Sequence, residues 1–398
     1  MNNIAQVEEV DYTSNLLGNI RAHLQGLQGY DTMALELIQN ADDAKAKQII
    51  FDVLDDGLFI WNSGNFSYCG DLKTKPCLHF EDKGENCDFH RITDFGSGGK
   101  LSNSDNIGRF GIGFSSTYQI SDHPEISSSG LKVKLMPEIG KASSVNQTKE
   151  PGTTFFLPWA NDPNSSGRNA LGISHITPEH IEQLVTDLTD VLQRSLLFLR
   201  NVVNAKLRRN GKQIFSCELD RSDNDESELI VSFEPSNEIE RWLILRTDIR
   251  DNTENIFHKF PKLEILNRQT QITIAIRVEP EPLTSGKLYA FLPTEQSTGL
   301  PFHINADFFP EADRKAVIFS GYQQENAWNE LLIKATAIEL AKDLEGLKDK
   351  LGYQQLWSIL SSAYDIKKEV DSNHPDCFKC FFDEFYRSMQ QGAKVVLT

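Results

Sequence analysis

"ALELIQNADDAKA", residues 34–46, sets Glu36, Asn40 and Asp43 beside Leu35, Ile38 and Ala41. Spacing at i, i+4 and i+7 stacks the three polar side chains on one helix face. A carboxylate, an amide and a second carboxylate in one stripe form either a solvated surface or the wall of a site. The flanking segments decide between the two.

Residues 12–28, "YTSNLLGNIRAHLQGLQ", carry apolar residues at helical spacing. "GYD" breaks that helix, and Asp31 is placed to cap the next one, which runs to about Ala46. "KQIIFDVL" is β-branched and aromatic and reads as a strand, "DDG" as a tight hairpin and "LFIWN" as the return strand. Residues 63–106, rich in Gly, Ser, Asn, Asp and Lys, read mainly as a long loop, and long loops in compact domains are usually functional or mobile. "IGRFGIGFSSTYQI" passes from a glycine-rich turn into an apolar helix, and "LKVKLMPE" and "TTFFLPW" read as strands.

"GRFGIGF", Gly108 to Phe114, is the second informative stretch. Glycines directly before a helix let the backbone approach a ligand, and their N–H groups with the helix N-terminus face an anion, most naturally phosphate. The spacing G-x-x-G-x-G is neither the Walker pattern nor the Rossmann fingerprint. An acidic helix face beside a phosphate loop calls for a metal, and Mg²⁺ bridges such groups through amide or carboxylate oxygens and phosphate oxygens. Asn40 suits the metal, and Glu36 suits a water aimed at the terminal phosphate.

The polar stretch "NDPNSSGRN" marks a boundary after Trp159. Beyond it, "TPEHIEQLVTDLTDVLQRSLLFLR" reads as an amphipathic helix with Pro178 at its first position. A hairpin turns at Asn210-Gly211. The strands "ELIVSFE", "RWLILRT", "QITIAIRVE" and "KLYAFLPT" follow, then a long helix over 327–351 and further helix to the end. The expected division is a nucleotide-binding domain over 1–165, a second α+β domain over 166–348 and a helical segment over 349–398. The end at "AKVVLT" is abrupt, so the chain is expected to be a piece of something longer.

The 398 residues carry 57 acidic and 40 basic side chains, a net charge of −17. That field disfavours non-specific binding to nucleic acid or anionic membranes. No apolar run is long enough for a bilayer, and the N-terminus lacks a signal peptide's basic and apolar regions, which points to the cytoplasm. The six cysteines then read as reduced thiols. Cys69, Cys77, Cys87 and His90, and separately "HPDCFKC" at 374–380, each offer part of a zinc ligand set. The irregular spacing of the first group and the missing partner pair of the second favour free thiols in both.

The ordered set "ELIQNADDA", "WNSGNF", "GRFGIGFSSTY" and "PGTTFFLPW" resembles the GHKL, or Bergerat-fold, nucleotide-binding family, and most closely its sacsin-type, chaperone-like branch. "GKLYAFLPTEQSTGLPFHINADFF" resembles the region that follows the ATPase domain in that branch, so the resemblance covers roughly residues 10–335. It implies an α+β fold, a mixed and mainly antiparallel sheet covered by helices, that binds and hydrolyses ATP with Mg²⁺. In that reading Glu36 is the general base, Asn40 the Mg²⁺ ligand, and Asp43 borders the nucleoside. Asn62, with Gly64, stands where the family has an adenine-reading Asp, and an Asn suits other base edges as well as adenine's. Gly108, Arg109, Phe110, Gly111, Ile112, Gly113 and Phe114 match the phosphate-wrapping box, and Thr153 the threonine beside the base. "ITDFGSGGK", ending at Lys100, resembles the lid. Arg314 resembles a second-domain arginine that reaches the γ-phosphate, with Lys315 and Arg277 as alternatives.

The implied activity is an ATPase whose lid closure reorients the second domain, chaperone-like or gating an attached effector, with transient homodimerisation through residues 1–16. The alternatives are a nucleotide-dependent switch with little turnover and a MutL-like ATPase acting on DNA, the latter disfavoured by the acidic balance.

Overall fold

The computed structural model describes residues 15–26, 29–84, 86–93, 113–221, 227–311, 314–373 and 376–392. Lys100, Gly108, Arg109, Phe110, Gly111 and Ile112 lie outside them, as do residues 1–14. Helices α1 (Leu16–Gly26) and α2 (Tyr30–Asp43) precede a hairpin of β1 (Gln48–Val53) and β2 (Gly57–Asn62). Two short helices, α3 (Leu78–Lys83) and α4 (Asp88–Thr93), come next, then a 3₁₀ helix over Gly113–Gln119. Strands β3 (Glu125–Ser128), β4 (Leu131–Met136), β5 (Lys141–Asn146) and β6 (Thr153–Pro158) follow. Helices α5 (Ser166–Leu171) and α6 (Pro178–Ser195) lead into the meander of β7 (Asn204–Arg209), β8 (Lys212–Arg221), β9 (Glu228–Glu234) and β10 (Ile239–Asp248). After short helices α7 (Glu254–Lys259) and α8 (Pro261–Ile265) come β11 (Gln271–Glu279), β12 (Lys287–Ala290), β13 (Leu292–Ser297) and β14 (His303–Asn305). Helices α9 (Gln323–Lys342), α10 (Leu344–Asn373) and α11 (Asp376–Gly392) close the chain.

The fold is α+β. Fourteen strands join edge to edge in the order β13-β12-β14-β11-β10-β9-β8-β7-β1-β2-β6-β3-β4-β5. Pairing is antiparallel except between β1 and β7 and between β12 and β14. The β1–β7 ladder runs from Gln48↔Asn204 to Val53↔Arg209 and makes one sheet of the two expected domains. Hairpin chemistry sets the registers nearby. Asn210 and Gly211 both have positive φ, as a two-residue primed turn requires. At the other end β5 is exposed along its length and forms the sheet edge.

Two large apolar clusters hold the sheet. The first gathers α2, β1, β2, β6, α6 and the β7–β9 meander around Met33, Ile38, Phe51, Ile60 and Leu188. The second packs β11, β14 and the C-terminal helices around Phe302, Ile304, Trp328 and Phe381. Burying a side chain such as Ile38, which has no exposed surface, contributes about 1.5–3 kcal/mol. No helix among the described residues is long and apolar enough to cross a membrane.

Several elements differ from expectation for local reasons. Asp31 sits inside the first turn of α2, and Gly29 occupies the cap with no side-chain bond. The glycine turn leads into a 3₁₀ helix, because Ser116 Oγ and Thr117 Oγ1 donate to the carbonyls three residues back, Gly113 O at 2.6 Å and Phe114 O at 2.8 Å. The expected strand "KLYAFLPT" folds back on itself at Phe291, whose φ is +66°, giving β12 and β13. The long C-terminal helix breaks after Lys342 and kinks again at Gly352, whose φ is +75°. Residues 63–93 are tied down by α3, α4 and a cluster of cysteines, and α5 occupies the expected linker.

Candidate functional site

Helix α2 is buried almost all round. Every residue from Thr32 to Gln39 is buried, and only Asn40 and Asp43 of the polar stripe reach partial exposure. The stripe is therefore a wall inside the protein. Glu36 is 4% exposed and Gln39 and Asp42 are 1% or less. Burying such groups is costly without partners, so each partner is informative.

Glu36 meets two elements. Gly113, at the start of the 3₁₀ helix, lies so close that a Cβ built on it would stand 1.5 Å from Glu36 Oε2. Any side chain there would require the Glu36 carboxylate to move. On its other oxygen, Glu36 Oε1 lies 2.9 Å from Arg314 Nη2. The contact is an ion pair without the alignment of a hydrogen bond, since Oε1 is buried with no hydrogen-bond donor. Arg314 Nη1 instead donates to Gln39 Oε1 at 2.6 Å, one turn along the helix. Gln39 Nε2 is buried without a hydrogen-bond partner.

Arg314 is delivered by a constrained turn. Its φ is +59°, a left-handed conformation that costs a non-glycine residue about 1 kcal/mol. The isolated bridge Pro310↔Val317 closes the turn, with Glu311 N donating to Ala316 O and Arg314 N to Glu311 O. The two alternatives face elsewhere: Lys315 pairs with Glu295 at 3.5 Å and Arg277 with Glu240 at 2.8 Å.

The 3₁₀ helix is held against α2 from its far end. Gln119 exchanges hydrogen bonds with both the N–H and the carbonyl of Gly29. Arg168, buried on α5, donates to the carbonyls of Tyr118 and Gln119 and pairs with Asp122 at 3.1 Å. Burial pulls the Arg168 guanidinium below its usual range, and Asp122 opposes the shift. Phe114 tilts against Phe155 at 5.7 Å.

Asn62 and Thr153 are register partners across β2 and β6, and both are buried. Asn62 Oδ1 accepts from Gly64 N at 2.9 Å, and Thr153 Oγ1 donates to Gly64 O at 2.8 Å. Gly64 in turn sits against the end of α2, where a Cβ would meet Ala44 O at 2.6 Å. The structure thus brings Glu36, Arg314 and Gly113 together, and gathers Asn62, Gly64 and Thr153 into a second group beside the C-terminal end of α2.

Two neighbours of the stripe were missed by sequence reasoning. Gln39 is the partner of Arg314. Asp42 accepts from the backbone N–H groups of Arg200, Asn201 and Val202 at 3.2, 2.7 and 2.9 Å, clamping the approach to β7. The only local signal was the doubled acid "DD". Away from α2, a cavity of about 180 Å³ is lined by Arg194, Glu240, Trp242, Arg277, Tyr289 and His303.

Residues 13–138 match the family model of the Sacsin domain. The chain is 26% identical over 330 residues to the protein NO VEIN of Arabidopsis thaliana, covering 75% of this chain and 10% of that protein. It is 29% identical over 136 residues to sacsin of Homo sapiens, covering 29% of this chain and 3% of sacsin. The chain spans a tenth or less of the length of these curated relatives. Among solved structures it is similar to the N-terminal domain of a DNA repair protein, with 14% identity and a TM-score of 0.41, covering 76% of this chain and 92% of that one. The sequence matches support a sacsin-type family.

Proposed function

We propose that this sacsin-like chain binds ATP with Mg²⁺ against helix α2 and hydrolyses it, with Glu36 as general base and Arg314 as a cationic group supplied by the second half of the chain. The observation that carries the reading is the contact of Glu36 with both Gly113 and Arg314. Two features fit a polyphosphate ligand. One is the backbone of Gly113, laid bare beside a buried carboxylate, and the other is the buried, unpartnered Nε2 of Gln39. When bound, Mg-ATP supplies the phosphoanhydride and the charge neutralisation that its hydrolysis requires. Asn40, half-buried one turn beyond Glu36, would hold the metal. Asn62 and Thr153 would face the base, their polar atoms fixed by Gly64. Glu36 would orient a water and take its proton, which requires Arg314 to release the carboxylate. The cation would then be free to stabilise developing negative charge.

Calorimetry with a non-hydrolysable ATP analogue, with and without Mg²⁺, tests binding, and phosphate release tests turnover. Glu36→Ala should bind normally and lose about 10²–10⁴-fold in turnover. No binding at millimolar analogue, or full turnover by Glu36→Ala, would reject the reading.

The Arg314–Glu36 pair also favours a second reading. A base held by a guanidinium is disengaged, so the chain would act as a nucleotide-dependent switch with little turnover. Tight binding with negligible phosphate release, unchanged by Glu36→Ala, would select it. Client-directed or effector-gating work by the longer protein belongs to either reading.

A further inference from the structure

Cys69, Cys77, Cys87 and His90 lie far apart along a segment that reads as loop, yet their ligand atoms all stand within 4.8 Å of one another. Cys77 and Cys87 are 1% exposed and His90 3%. Ligands at the corners of a tetrahedral Zn²⁺ site, with Zn–S of about 2.3 Å and Zn–N of about 2.1 Å, stand roughly 3.5–3.8 Å apart. His90 Nδ1 is 3.2 Å from Cys87 Sγ and 3.5 Å from Cys69 Sγ, close to that edge length.

The surroundings orient the set as ligands. His90 Nε2 lies 3.1 Å from Thr74 O, and a carbonyl only accepts. Nε2 therefore carries the proton, and Nδ1 turns its lone pair toward the sulfurs. A carbonyl on the distal nitrogen is how metal-bound histidines are commonly held. A backbone N–H points at a sulfur as well: Cys87 N donates to Cys77 Sγ at 3.3 Å. Donors of this kind suit thiolates, and a buried group of thiolates needs a cation.

We propose that Cys69, Cys77, Cys87 and His90 form a structural zinc site, independent of the nucleotide reading. Zinc takes three thiolates and one imidazole, and the thiol protons leave to solvent on binding, including the one Cys69 directs at Asp71 O. Four protein ligands leave no open position, which makes the site structural and not catalytic. Its place in the fold gives it a purpose. Helices α3 and α4 have six residues each, too short to be stable alone. The site would tie them to the exit of β2, where Ser67 Oγ donates to Asp88 Oδ2 at 2.6 Å and Phe66 packs edge-on against Phe89 at 5.5 Å.

The test is metal analysis of the full chain purified under reducing conditions without chelator. About one equivalent of zinc per chain is expected, retained through dialysis. Cys77→Ser, Cys87→Ser and His90→Ala should lose it, and Cys380→Ser should keep it. His90→Cys should keep the metal as a four-thiolate site, which preserves a folded comparison if the other variants unfold. Cobalt exchanged into the wild-type site should show the ligand-field absorption of tetrahedral thiolate coordination, altered in His90→Cys. Chelation should lower the melting temperature, and zinc should restore it. A folded, reduced chain that takes up no zinc overturns the proposal. So does zinc content indifferent to these ligand substitutions, or a disulfide among the three cysteines in the reduced preparation.

Discussion

The guanidinium of Arg314, on a turn between β14 and α9, lies 2.9 Å from the buried carboxylate of Glu36 in the second helix of the chain. Side-chain exposure is 22% for the arginine and 5% for the glutamate, so solvent screens the pair only on one side. The contact ties the turn between β14 and α9 to the site wall, and it occupies the group proposed as base.

Arg314→Ala should therefore do two things. It leaves Glu36 buried beside an empty volume, and it frees Gln39 Oε1 as well. A stability loss of about 1–3 kcal/mol is expected, short of the cost of breaking a fully buried pair because the arginine is partly wet. Turnover should fall by about 10-fold or more if the arginine stabilises the transition state. Urea melts and phosphate release read the two effects separately. Unchanged stability would deny the tie, and unchanged turnover would remove the arginine from the chemistry.

Gly113→Ala isolates the site wall from the rest of the fold. The new methyl would stand 1.5 Å from Glu36 Oε2, so the carboxylate must move. Helix α2 is packed on every side, and the side chain has few places to go. Expected is a folded protein with hydrolysis reduced by about 10²–10⁴-fold, as for loss of the base itself. A Gly113→Ala variant with wild-type turnover would show that the observed position of Glu36 is not the working one.

Much of this was legible locally. The helical stripe at Glu36, Asn40 and Asp43, the "DDG" and Asn210-Gly211 turns, and the alternating strands are all encoded within a few residues of themselves. What stayed hidden depends on distant chain. Nothing near "EADRKAV" says that Arg314 reaches Glu36 and not solvent. Nothing in the stripe says that Gln39 and Asp42 on the flanking faces are buried too, because the helix is covered on all sides only once α6 and the 3₁₀ helix pack on it. Cys69, Cys77 and Cys87 have no regular spacing, since the loop that joins them takes an irregular path. Phe291 is itself neither glycine nor proline, yet the chain reverses there, and its N–H donates to Asn305 Oδ1 at 2.9 Å.

Asp42 makes the clearest stability prediction. Its carboxylate satisfies three successive backbone donors, and its own carbonyl accepts from Asn201 Nδ2 at 3.0 Å. Asp42→Ala strands those donors in a site that is 1% exposed, and should cost about 3–5 kcal/mol. Asp42→Asn keeps one acceptor oxygen without the charge and should cost about 1–2 kcal/mol. Denaturant midpoints order the three proteins. A loss below about 1 kcal/mol for Asp42→Ala would mean that water or another group takes over the three donors.

His303 supplies the pH dependence. Its ring stacks on Trp242 at 5.2 Å, and its Nδ1 accepts from Lys287 N at 2.8 Å, so that nitrogen must stay unprotonated. Burial lowers the imidazole to about 3, and the nearby charges of Lys287 and Arg277 push the same way. A histidine held neutral in the folded state binds fewer protons than the unfolded chain between about pH 3 and the ordinary value of 6.5. Stability from this group is fully present above 6.5 and drains away as pH falls toward 3. The slope approaches 1.4 kcal/mol per pH unit at most, by about the linkage relation. Part of the ring faces the cavity beside Arg194, so the difference between about pH 7.5 and about pH 5 should be about 1–2 kcal/mol. His303→Gln retains an acceptor for Lys287 N and removes the titration. Urea unfolding of both proteins at the two pH values gives the result as a double difference, which cancels the carboxylates common to both. The variant should lose less stability on acidification than the wild type. Equal losses in the two proteins would mean that His303 takes up its proton without leaving its place in the fold.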